Sequence, residues 1–367
     1  MEIWFFLQFL FFLIKLYSCE GIIFPFFICS DYRNQIKLKV NLPLGQETHA
    51  YLTLTNKITF LAIDKVKWKK EDRSIEENMT FYLYNEYVQI GENNITMNFY
   101  GRYRRDDDVE TRNFFPSILS FGYSPQGIST SIVHQFYKSK MINRMIFGIF
   151  YYKDKEKGGN IYIGDIPKQL TESKTKGKCK VVNNQWGCEI KDFYYGKYHI
   201  KEKRNAIFEY EHKDIFIPKD IYLMLFEVFD EFIKNNTCSN KNYQFYCKLD
   251  SEDEYIGFFE KFVPSFNFVF DSFTLSIPST QLFEHSRFLL MYDRLMESND
   301  WRIGFTFIQK FLSVYDYDNK EIILYTDNKS RVKIIQNKNN SSLIRIIYTV
   351  LLILLFLGTI LHLINYK

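Results

Sequence analysis

The sequence predicts a mostly β protein held between two apolar terminal segments, and three observations carry that reading. Phe and Tyr raise the aromatic share to 19%, which suits pleated, half-buried surfaces. Short apolar or alternating runs recur between Gly, Asn, Asp and Pro, while helical periodicity is confined to a few segments. Hydrophobic residues at 46% and charged residues at 25% match globular composition, not disorder. The 367 residues suffice for one large bilobal domain or two ordinary ones. The net charge of +4 is spread along the chain without a basic stripe interleaved with aromatics, so nothing points to nucleic acid as a partner.

At the N-terminus, "MEIWFFLQFLFFLIKLYSCEG" is apolar from Ile3 to Ile14 and turns polar near Ser18 and Cys19. That run is short for a membrane span and suits a secretory signal peptide over residues 1–19. Glu2 stands where a basic residue is usual, and a retained signal anchor is the competing reading. At the other end, residues 346–364 read "IIYTVLLILLFLGTILHLI", nineteen residues without a formal charge, enough for a transmembrane helix. Lys329, Arg331, Lys333, Lys338 and Arg345 precede it, and positive-inside alone would place that side in the cytoplasm. A signal peptide carries the preceding domain across the membrane regardless, so a single-pass type I protein of the secretory pathway or cell surface is expected. A lipid-anchor signal competes, but the polar spacer between Ser342 and Ile346 is short for it.

Between these ends, "IKLKVNL", "AYLTLT", "YVQIG", "ITMNFYG", "GNIYIGDI", "FNFVF" and "SVYDYD…EIILYT" read as strands. "SIVHQFYKSKMI" and "KDIYLMLFEVFDEFIKNN" carry apolar residues at three- and four-residue steps and read as helices. Cys179 and Cys188 flank an Asn-Asn turn, and Cys238 and Cys247 enclose a short polar loop. In an oxidising compartment two local disulfides are expected, with Cys19 and Cys29 left over. Neither pair has metal-ligand spacing, so no metal site is expected. Sequons at Asn78, Asn94, Asn235, Asn328, Asn339 and Asn340 are glycosylation candidates.

Four segments carry a family resemblance. "YVQIG", "FFPSILSFGY", "GGNIYIGDIPKQL" and "WRIGFTFIQKFLSVYDYDNKEIIL" resemble, in this order, motifs of the pepsin-like aspartic proteases, and together they cover nearly everything from Gln35 to Tyr325. The resemblance implies a bilobal pepsin-like fold: one lobe over residues 20–176, a second over 177–327, then a juxtamembrane stalk over 328–345. Each lobe of that family gives one aspartate loop to a central cleft. "AIFEYEHKDIFIP" overlays the second loop from Ala206 to Pro218, with Glu209 at the aspartate, Tyr210 at the hydroxyl residue and Glu211 at the glycine. In "LPLGQETHAYLTLTNK" the first loop keeps Gln46 but places Thr53 at the aspartate, Leu54 at the hydroxyl residue and Thr55 at the glycine. The flap tyrosine position aligns with Ser74, and Phe305 replaces the family's Asp after Trp-x-x-Gly.

The family's chemistry needs two carboxylates sharing one proton and one water. Thr53 has no carboxyl, and a lone Glu209 lacks a partner to split against. Asp271 in "FVFDSF" reads as a hairpin tip, and Asp64 lacks a Thr-Gly sequel. About fifteen residues separate the signal from Gln35, so no long prosegment is expected. His49, His134, His199, His212, His285 and His362 are scattered and read as structural, with a weak metal site at His212 the alternative. The expectation is a catalytically inactive, membrane-tethered protease homologue without cofactor, gripping a peptide or protein partner between its lobes. The competing readings are an active endopeptidase using Glu209 with a second acid the sequence does not identify, and an inhibitor of another hydrolase.

Overall fold

The computed structural model describes residues 21–28, 36–55, 59–63, 72–76, 79–103, 117–123, 131–152, 158–196, 198–201, 203–248, 265–284, 286–292 and 299–337. Asn78, Cys19, Cys29, Asp64, the signal segment and the apolar run over 346–364 lie outside them. No helix among the described residues is long and apolar enough to cross a membrane.

Strands dominate. Ile36–Leu42 shows why: alternation places Ile36, Leu38, Val40 and Leu42 in the core and turns Lys39 to solvent. Six strands, Thr175–Lys180, Glu321–Thr326, Leu312–Asp316, Ile146–Tyr151, Gly159–Ile163 and Ile22–Ile28, form a platform at one end of a 13-stranded sheet. The platform draws strands from both halves of the chain, and the sheet continues from Ile22–Ile28 through Ile36–Leu42 into the first half.

The two halves repeat one arrangement. In the first, Gln46–Thr53 runs parallel to Ser117–Ser120, which pairs antiparallel with Phe60–Ile63, itself parallel to Asn93–Tyr103. In the second, Arg204–Phe208 runs parallel to Trp301–Ile303, which pairs antiparallel with Ile215–Phe216, itself parallel to Arg287–Met291. The same order and directions recur, so the ends of Gln46–Thr53 and Arg204–Phe208 occupy equivalent places. The flap region forms a hairpin of Asp72–Glu76 against Met79–Ile90, with Ser74 opposite Phe81.

Helix Lys219–Lys234 follows Pro218, carries Asp220 in its first turn and Lys234 in its last, and buries Ile221, Tyr222, Met224, Leu225 and Phe229 along one face. Arg204 clamps Asp220 with two hydrogen bonds of 2.7 and 2.6 Å, tying the second loop's strand to this helix. The other periodic segment forms helix Ile132–Lys138, anchored where Gln135 bonds both backbone groups of Asn98.

Both local disulfides form, Cys179–Cys188 and Cys238–Cys247. Cys238 and Cys247 are direct cross-strand partners. Asn183 and Asn184 both take left-handed backbone (φ 50° and 52°), the turn Asn-Asn favours. Beyond the single bridge of Val182 to Gln185 the strands diverge: Thr175–Lys180 joins the platform and Gly187–Ile190 joins the second half, so the Cys179–Cys188 bond links two sheets. Trp186, fully buried there, donates its indole N–H to the Phe121 carbonyl at 2.8 Å and packs against Tyr123, Tyr315 and Tyr317. The Tyr317 hydroxyl donates to the same carbonyl at 2.8 Å. This aromatic knot welds the two halves beneath the loops.

Candidate active site

Thr53 ends its strand beside Ser120, and Phe208 lies beside Ile303, so one further step sets Glu209 beside Gly304. Thr53 and Glu209 therefore hold equivalent positions, each against the strand that in its half carries Ser120 or Gly304. Backbone bonds fix both: Phe121 N–H donates to the Thr53 carbonyl and Glu209 N–H to the Ile303 carbonyl, each at 2.9 Å. Gly304 is required at its place, because a Cβ there would meet the Asp214 carbonyl oxygen at 2.0 Å. Phe305 and Thr306 donate to the carbonyls of His212 and Lys213 at 2.7 and 3.1 Å, and Arg287 holds Asp214 at 3.0 Å. The second loop is thus braced along residues 209–214.

The two residues that fill the family's hydroxyl positions face inward. Leu54 is buried, and Tyr210 is fully buried with its hydroxyl 3.3 Å from Ser313 on the platform. Tyr151 and Tyr315 crowd it, and burial pushes all three phenols well up. Neither Leu54 nor Tyr210 bridges the two loops. The link between the two loops comes instead from Glu211, in the glycine position. Its Oε1 accepts from the hydroxyls of Thr53 and Thr55, the latter at 2.5 Å, and from the Thr55 N–H at 3.3 Å.

Glu209 points elsewhere. Its Oε1 accepts from Arg302 at 3.2 Å, and its Oε2 lies 3.5 Å from His212 Nε2. No hydrogen bond joins it to Glu211 among the described residues. Burial raises the Glu209 carboxyl to about 7, against the pull of Arg302 and with a smaller push from Glu211. Burial also raises Glu211, opposed by the Thr55 hydroxyl and by backbone N–H groups. Glu209 is consequently not a solitary acid: a second carboxyl lies near enough to feel its charge, held by the opposite loop. That neighbour was not anticipated from the sequence.

The other sequence candidates separate cleanly. Asp271 tips the hairpin of Phe266–Val269 and Phe273–Ile277, exposed and paired with Lys191, in a sheet separate from the strands that lead into the two loops. His199 meets Asp192 at 3.1 Å, and His134 is buried against Tyr317. No group of three or more metal-ligating side chains occurs among the described residues, His212 included. Asn94 and Asn235 are exposed, Asn235 just past the end of helix Lys219–Lys234.

Parallel-strand loops meeting over a shared platform, repeated in two halves, define the architecture of a bilobal acid-protease fold. The chain matches the family model for eukaryotic aspartyl protease over residues 76–326, more than half its length, and belongs to that family. The matched range includes the Glu209 loop and begins after the Thr53 loop. No curated protein matches the chain.

Proposed function

We propose that this protein is a catalytically inactive member of the aspartyl protease family that binds an extended peptide or protein segment between its lobes. The supporting observation is the position of Glu211, whose carboxyl is tied to Thr53 and Thr55 at the first loop tip. Hydrolysis in this fold calls for one proton shared between two carboxyls that together hold a water. Here one candidate carboxyl is committed to hydroxyls and the other to a guanidinium. Arg302 favours the ionised form of Glu209, and Thr53 offers only a hydroxyl. An extended segment would bind through strand-like backbone bonds, and side-chain pockets would set its identity. The apolar run over 346–364 would tether the domain to a secretory-pathway membrane as a type I protein, with Asn94 and Asn235 carrying glycans.

The second reading, an active endopeptidase with Glu209 and Glu211 as its acids, draws on their mutual charge effect alone. Incubating the full chain in detergent with a pool of defined extended peptides, then recovering the bound fraction by mass spectrometry, separates the two. Intact bound peptides support a binding protein. Bound or released fragments with a common cleavage point support the enzyme.

A further inference from the structure

A groove of about 680 Å3 opens where the platform's edge strand meets the hairpin around Asp271. Its floor is strand Thr175–Lys180, where alternation puts Lys176, Lys178 and Lys180 on one exposed face while Gly177 and Cys179 turn inward. Successive side chains on such a face leave the backbone about 7 Å apart, so the three lysines are rooted over about 13 Å. Lys191 adds a fourth cation from the opposite wall.

The acids present do not balance them. Lys178 and Lys180 share Glu321, at 3.3 and 2.9 Å, and Asp271 pairs with Lys191. Glu189 is engaged by Lys203 at 3.6 Å, and Lys176 has no acidic partner among the described residues. Among the lining residues four ammonium groups face three carboxylates. Ser272 and Gln336 donate to the backbone carbonyls of Lys178 and Lys176, which leaves their oxygens as acceptors for hydroxyl groups.

We propose that this groove binds an acidic saccharide, a short sugar chain bearing sulfate esters or carboxylates. The row of lysines answers the anionic groups, and the interspersed acids, hydroxyl and amide answer the sugar hydroxyls. The volume falls within the range of small-molecule sites. The Cys179–Cys188 bond, whose Cys179 lines the groove, belongs to an oxidising compartment, where sulfated and carboxylated sugars are displayed. None of Thr53, Thr55, Glu209 and Glu211 lines it.

The test is fluorescence anisotropy of a labelled heparin-derived tetrasaccharide with the full chain in detergent, at low and high salt. Saturable binding that weakens with salt is expected, with no binding of maltotetraose. Lys176→Ala should weaken it about two- to fivefold, and Lys176→Ala with Lys178→Ala on the order of tenfold. Glu321→Gln should act in the opposite sense, tightening binding about two- to fivefold by freeing two lysines from their carboxylate. Because the lysine and Glu321 changes act in opposite directions, misfolding cannot produce both. No binding, equal affinity in the lysine and Glu321 variants, or displacement by inorganic sulfate at the saccharide's own concentration would overturn the proposal.

Discussion

Replacing Glu209 by Gln removes a carboxyl that burial lifts from an ordinary 4.5 to about 7. The folded protein holds that proton more tightly than the unfolded chain, so unfolding between those pH values releases it. Stability from this group is therefore greatest below pH 4.5 and falls as pH rises through 7. At about 1.4 kcal/mol per pH unit, the loss approaches ~3 kcal/mol by pH 8. Glu209 is only 4% exposed, so solvent screening takes little from that figure. Glu209→Gln carries no such proton, and its stability relative to wild type should climb by ~3 kcal/mol from pH 4.5 to 8. For a domain of this size that is on the order of 5–10 °C in the unfolding midpoint. Arg302→Ala should steepen the wild-type decline, since Arg302 lowers the carboxyl's proton affinity. Urea and thermal unfolding of all three proteins across this pH range supply the curves. Parallel wild-type and Glu209→Gln profiles would refute the assignment of a buried, easily protonated carboxyl.

Two further substitutions test how the loops are supported. Tyr210 fills the core beneath the second loop, so Tyr210→Ala should lose about 3–5 kcal/mol by urea unfolding while Tyr210→Phe loses about 1 kcal/mol; equal losses would place the weight on the hydroxyl instead. Replacing Cys238 and Cys247 by Ser opens a short loop with a sequence separation of 9 and should cost about 2–3 kcal/mol, read as an unfolding midpoint that reductant no longer shifts at this site.

The strand pattern was legible because alternation leaves its mark on every exposed edge: Ile36–Leu42 and the hairpin around Asp271 lie where the residues place them. The second loop's span from Ala206 to Pro218 falls within the range the family model matches, whereas the Thr53 loop precedes it. What could not be read was direction across the molecule. Glu211 occupies a glycine position in the alignment, and only the pairing of the halves reveals that its carboxyl reaches Thr53 and Thr55, 158 and 156 residues away in sequence. Trp186 lies between Cys179 and Cys188 in sequence, yet its indole binds Phe121 of the other half. Lys178 and Lys180 likewise find their partner Glu321 on a strand more than a hundred residues on. Local chemistry writes the strands, and long-range pairing writes the site.

A peptide-cleavage assay at acid pH bears most directly on whether two acids in the loops share a proton. The folded full chain, assayed against a quenched-fluorescence peptide library with and without a statine-type inhibitor, should give no inhibitor-sensitive turnover. Inhibitor-sensitive cleavage that vanishes in both Glu209→Gln and Glu211→Gln would contradict the account and make those two residues its catalytic pair.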